Sequence, residues 1–153
     1  MRSTANRLLL TCMHGIASIG FVAIAGAACA QTAYLPTRSD WSSIRKVIQA
    51  QVDAFKKDKS ELAFSYASPP IRRQFKTAEN FMRVVKVSYP AVYRPASMAF
   101  IDASVDDGTP IQAVQFSDDD GAVWIGYYSM QRQPDKTWKI NGCQLFPGKA
   151  ISS

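Results

Sequence analysis

Apolar residues recur along this chain in two rhythms, and the change near Ala96 divides it. Trp41, Ile44, Ile48, Val52 and Phe55 return at three- and four-residue steps, with Arg45, Lys46, Gln49, Lys56 and Lys57 on other faces. This spacing predicts an amphipathic helix capped by Ser39 or Asp40. Ser60 opens a short helix through Leu62, Phe64 and Tyr66, which Ala67-Ser68-Pro69-Pro70 ends. Ser68 caps a further turn with Pro69 at its first position, carrying Ile71 and Phe75 inward and Arg72 and Arg73 outward. Thr77 caps the next helix, whose inner stripe is Phe81, Val84, Val85 and Ser88, and Tyr89-Pro90 closes it.

Beyond Ala96 the period falls to two. Residues 98–105, 111–117, 122–131 and 138–146 read as four strands joined by Asp106-Asp107-Gly108, by 118–121 and by 133–136. Links this short require antiparallel neighbours, so the sheet is expected to be a meander. Helices first and strands afterwards is the α+β layout, with the helices packed on one sheet face. The third strand is apolar on both faces: Val123, Ile125 and Tyr127 point one way, Trp124, Tyr128 and Met130 the other. It is therefore expected to be covered on both sides. Gly126 and Gly142 lie inside strands, where glycine marks a bend, a bulge or a close backbone approach; a sheet bent at both would curl around its helices.

The first thirty residues stand apart. Arg2 and Arg7 precede the apolar stretches 8–10 and 16–26, and Ala28-Cys29-Ala30 is a small-x-small cleavage site, the pattern of a secretory leader. Gly26-Ala27-Ala28-Cys29 is only a weak match to a lipidation box. The expected layout is a leader over 1–30, a flexible lead-in over 31–39, one domain over 40–147 and a tail over 148–153, with a periplasmic or secreted product. Cleavage removes 30 of 153 residues, Arg2 and Arg7 among them; 16 basic side chains then face 12 acidic ones, a net charge of +4. A mild excess of this kind suits anionic surfaces or ligands at most. No Gly-rich phosphate loop and no basic helix with base-stacking aromatics occurs, and no nucleic-acid partner is expected. His14, the only histidine, leaves with the leader, which excludes histidine-dependent triads, Cys–His dyads and histidine metal sites within the mature chain. Cys12 and Cys29 leave too, and Cys143 is left without an internal disulfide partner. No metal or cofactor is expected, and Asp118-Asp119-Asp120 reads as a solvated hairpin turn rather than a calcium loop.

Residues 63–69 (Ala-Phe-Ser-Tyr-Ala-Ser-Pro), Phe75 with Phe81, residues 89–95 (Tyr-Pro-Ala-Val-Tyr-Arg-Pro) and residues 138–143 (Trp-Lys-Ile-Asn-Gly-Cys) together resemble a bacterial family catalogued as domain of unknown function forty-eight sixty-four. The likeness spans about residues 44–145 and carries no established activity. The order of elements also resembles the nuclear-transport-factor-two and ketosteroid-isomerase superfamily. That resemblance implies a cone of helices and curved sheet around a pocket; any activity taken from it would be analogy.

Against that background Tyr93 and Arg94, fixed between two prolines, are candidates to grip a carboxylate or phosphate, with a structural crossover paired to an acid as the alternative. Trp124, Tyr127 and Tyr128 are core residues first; in a pocketed sheet they would line the pocket with Tyr66. The candidate ligand residues are thus Tyr66, Tyr93, Arg94, Trp124 and Tyr128. Cys143, with no base to activate it, is expected to be buried and inert. The leading expectation is a non-catalytic domain holding a small apolar or anionic ligand or a partner protein, with a homodimer through the outer sheet face. The alternative is an isomerase- or dehydratase-like enzyme with Asp53 or Asp102 as base and Tyr66, Tyr93 or Tyr128 as donor.

Overall fold

A computed structural model describes residues 34–149. The expected leader, with Cys12, His14 and Cys29, lies outside the described residues, as does all but the start of the tail. The first helix, α1 (Arg38–Lys56), begins before the expected cap. Thr37 is the cap: its hydroxyl accepts from the Asp40 N–H at 3.2 Å, and the Asp40 carboxylate accepts from the Thr37 N–H at 2.9 Å. This reciprocal pair satisfies two of the N–H groups that a helix start leaves orphaned. The helix buries Ile44, Ile48, Val52 and Phe55, together with Ala54 and Gln51. Each large apolar side chain so enclosed stabilises the fold by roughly 1.5–3 kcal/mol.

Three short helices and a longer one complete the layer: α2 (Ser60–Ser65), α3 (Pro69–Phe75), α4 (Ala78–Ser88) and α5 (Pro90–Tyr93). Ser68 precedes α3 with Pro69 at its first position, and Thr77 caps α4 by accepting from the Asn80 N–H. The buried stripe of α4 is Ala78, Phe81, Met82 and Val85. Ser88 is exposed, because the i, i+3, i+4, i+7 stripe is complete one turn earlier. The stiff connector expected after Tyr89 winds into the single helical turn of α5, since proline at a first helical position already holds the required φ.

The four strands are β1 (Ser97–Asp106), β2 (Thr109–Ser117), β3 (Val123–Arg132) and β4 (Trp138–Pro147), antiparallel throughout and in sequential order. The fold is α+β, helices followed by a four-stranded antiparallel meander. Met98 and Phe100 of β1, Gln112, Val114 and Phe116 of β2, and Trp138 and Ile140 of β4 share the helix-side face with Trp124, Tyr128 and Met130. The register shifts at two bulges, one at Ile101 and one opposite Ser129–Met130, where Asn141 is the extra residue beside Gly142. Gly126 pairs regularly. A Cβ there would lie 3.0 Å from Phe116 Cε2 and 3.3 Å from Tyr128 Cε2, so this glycine makes room for two rings rather than a bend. The acidic hairpin turn is held by Asp118, whose carboxylate accepts from the N–H groups of Asp120 and Ala122.

Cover on both faces of β3 is only partly met among the described residues. The helices lie on the Tyr128 side. On the other side Val123 and Ile125 are half-buried, with Gly148 against them, while Tyr127 packs edge-on to Phe146 and both rings remain about half exposed.

Candidate functional site

Between the helices and the inner sheet face lies a cavity of about 210 Å³. Its walls come from α1 (Phe55), α3 (Ile71, Phe75), α4 (Phe81, Val85) and the β3–β4 pair (Tyr128, Cys143). The backbone of residues 66–68 anchors the α3 wall to β4. Ile140 donates its N–H to the Tyr66 carbonyl at 2.9 Å, Ser68 donates its N–H to the Ile140 carbonyl at 2.8 Å, and the Ser68 hydroxyl reaches Asn141 Oδ1. Beyond that anchor α3 has no fully buried residue, which makes it the thinnest wall.

No charged side chain lines the cavity. Its polar side chains are Gln51, Gln74, Tyr89 and Tyr128, beside the Cys143 thiol, and Gln74 is exposed on α3. Gln51 donates Nε2–H to the Ala63 carbonyl at 3.1 Å, and the Tyr89 hydroxyl donates to the Cys143 carbonyl at 3.4 Å. Tyr128 is different. It is 1% exposed, and its hydroxyl has no hydrogen-bond partner. The register sets it directly across from Cys143, but a thiol is a weak acceptor and no bond of ordinary geometry joins them. Burial pushes the Tyr128 phenol up, and the neighbouring Cys143 thiol adds to this; burial pushes that thiol in turn up to about 12. Both groups are therefore neutral near pH 7, and the thiol lacks the thiolate character a nucleophile needs.

Of the five expected ligand residues, Tyr128 alone lines this cavity. Tyr66 is half-buried and contributes its backbone to the β4 anchor; Trp124 is half-buried and packs against the core. Tyr93 and Arg94 stand elsewhere, around Asp58 in the turn after α1. Arg94 donates Nη2–H to Asp58 Oδ2 at 2.7 Å, Lys86 pairs with Oδ1 at 2.8 Å, and the Tyr93 hydroxyl donates to the same carboxylate. The Lys86 ammonium and the Arg94 guanidinium also lie over the Tyr93 ring, 5.2 and 5.0 Å from its centroid. The anion this fork grips is thus a side chain of the same molecule. Tyr127 faces away from the cavity. Asp53, exposed enough to accept from Gln49, and Asp102, whose carboxylate accepts from the Ala103 N–H, both lie outside the cavity as well, so no carboxylate is poised there as a base.

Ile71, Phe75, Phe81 and Val85 form the cavity wall. The sequence marked them as inward, but no one-dimensional pattern separates an inward side chain that meets another from one that meets a void. Among the described residues no group of three or more metal-ligating side chains gathers, and no helix is long and apolar enough to cross a membrane.

The fold and cavity define an α+β domain with an apolar chamber between one helical layer and one sheet face. The family described as Domain of unknown function (DUF4864) matches residues 37–152, and the chain belongs to that family. No curated protein matches it.

Proposed function

We propose that this protein is an exported, non-catalytic domain that holds a small, largely apolar ligand in the chamber beneath its sheet. The supporting observation is the chamber itself: about 210 Å³ of space with uncharged walls. Small-ligand sites are concave, mostly apolar and sparsely polar. The uncharged lining favours an apolar ligand over an anionic one. Export is supported by the leader pattern over 1–30 and by a family match that begins only at residue 37.

Native mass spectrometry of protein recovered from its own compartment tests both parts. The expected spectrum shows a chain beginning at Gln31 with a small molecule retained. Val84 lies at the chamber wall, and Val84→Trp is expected to abolish that adduct while the protein stays folded. A chain beginning at Met1 would remove the export reading, and lipid on Cys29 would keep export while moving the mature start to Cys29. An adduct unchanged in the Val84→Trp protein would place the ligand outside the chamber.

The outer sheet face supports pairing of two copies, since Tyr127 and Phe146 leave apolar rings in solvent beside Val123 and Ile125. Analytical ultracentrifugation at micromolar concentration is expected to give a dimer that Ile125→Arg returns to monomer. A monomeric wild type would sink the pairing.

A further inference from the structure

We propose that the chamber takes a single-chain amphiphile with an anionic headgroup: the alkyl tail lies inside, and the head stays in water among the cations of α3. This rests on the ligand-binding reading above and narrows it to a chemical class.

Gln74 is the one exposed residue among those lining the chamber, and Ile71, Phe75 and Val84 are half-buried. The chamber therefore reaches the surface along α3, its thinnest wall. The outward side of that wall is cationic. Residues 69–76 carry Arg72, Arg73 and Lys76, all exposed, and no acidic side chain. The ion pairs among the described residues join Lys86 and Arg94 to Asp58, so the three α3 cations have no carboxylate partner there. Arg72 lies over the Phe64 ring, 5.3 Å from its centroid, and so is directed toward α2. Arg73 adjoins Gln74. Lys76 closes the helix at φ +67°, in a turn that the Thr77 N–H fixes by donating to the Phe75 carbonyl at 2.8 Å. Both are long side chains that can follow an apolar surface while their charge stays hydrated.

An ionised group inside the uncharged chamber would lose its hydration without compensation. Held at the mouth, it keeps its water and still gains the field of the α3 cations. A wholly apolar ligand would leave that field unused, and an alkylammonium would be repelled by it. Cations at a helix C-terminus also complement the helix dipole. That effect acts on stability and does not depend on what occupies the chamber.

Decanoate, decan-1-ol and decylammonium share one alkyl chain and differ in the charge of the head. Calorimetric titration of the purified protein at low ionic strength is expected to rank them in that order, with decanoate about fivefold tighter than decan-1-ol. Salt at about 0.5 M is expected to bring those two together. From octanoate to decanoate, binding is expected to tighten by about fourfold per methylene. The double variant Arg73→Gln/Lys76→Gln keeps the contact of Arg72 with Phe64 and is expected to remove the preference for decanoate without changing the affinity for decan-1-ol. Arg73→Glu/Lys76→Glu is expected to put decylammonium ahead of decanoate. Val84→Trp is expected to abolish binding of all three.

Equal wild-type affinity for decanoate and decan-1-ol, or a preference that the double glutamine variant leaves intact, would overturn the headgroup assignment while the chamber still binds. Affinity independent of chain length, or binding that survives Val84→Trp, would place the tail outside the chamber and overturn the proposal at its other end. Failure of all three probes to bind the wild type would take down the chamber reading and this one with it.

Discussion

Asp58 occupies a left-handed turn at φ +53°, a conformation that aspartate tolerates better than most residues, and from there gathers Lys86, Tyr93 and Arg94. Hydrogen bonds from Lys86 and Tyr93, then the two cationic charges, hold its carboxyl down to about 2 from an ordinary 3.8. A carboxyl depressed in the folded state adds stability that is complete above its unfolded pKa and disappears as pH falls through the folded one. Asp58→Asn is therefore expected to melt below wild type at pH 7, with the difference shrinking between about pH 4 and about pH 2. Thermal melts across that range check it. The cluster is exposed and screened by solvent, so the shift should be modest and Arg94→Ala should cost little. Gly126 gives a sharper test at the same scale. Gly126→Ala drives a Cβ toward Phe116 and Tyr128, and an overpacked core of this kind is expected to lose about 1–3 kcal/mol in chemical denaturation.

Thr37 and Asp40 set where α1 starts, and through it where the chamber's Phe55 wall stands. Asp40 also accepts from the Trp138 indole at 3.2 Å and from Tyr34, so the cap ties the helix start to β4. Thr37→Ala is expected to cost about 1 kcal/mol in denaturant titration, the usual worth of such a cap. The pattern Thr37-x-x-Asp40 was open to reading, yet Asp40 carries an equally good capping side chain of its own and draws the boundary inward. Most elements were legible because their signals are local: proline at position 69, Thr77 before an apolar stripe, turns rich in Asp and Gly between alternating runs. The strands fall within two residues of the spacing. The site was far less legible. Arg94 between two prolines carries the same local signal whether its partner is a ligand or Asp58, 36 residues away. Tyr128 reads as core, and only three-dimensional packing shows that its ring is enclosed while its oxygen is not bonded. Likewise Gly126 and Gly142 carry the same letter, yet one makes room for rings and the other sits beside a bulge.

At the scale of the whole molecule, a sequential meander has two outer strands, and their free backbone groups are templates for unwanted pairing. β4 is partly capped by the bridge from Ala67 to Ile140. β1 has no such neighbour among the described strands. What it has is the bulge at Ile101, one residue more than its partner needs. Because the residues on either side already face correctly, deleting Ile101 should restore unbroken register without turning a single side chain over. The fold is expected to survive, with a cooperative melt, while its margin becomes a straight, uninterrupted ribbon. Light scattering at rising concentration should then reveal edge-to-edge fibres or aggregates that the natural chain does not form. If the deletion variant stays as disperse as wild type, Ile101 is not a guard. Otherwise this extra residue keeps a sheet with an open margin from growing into its neighbours.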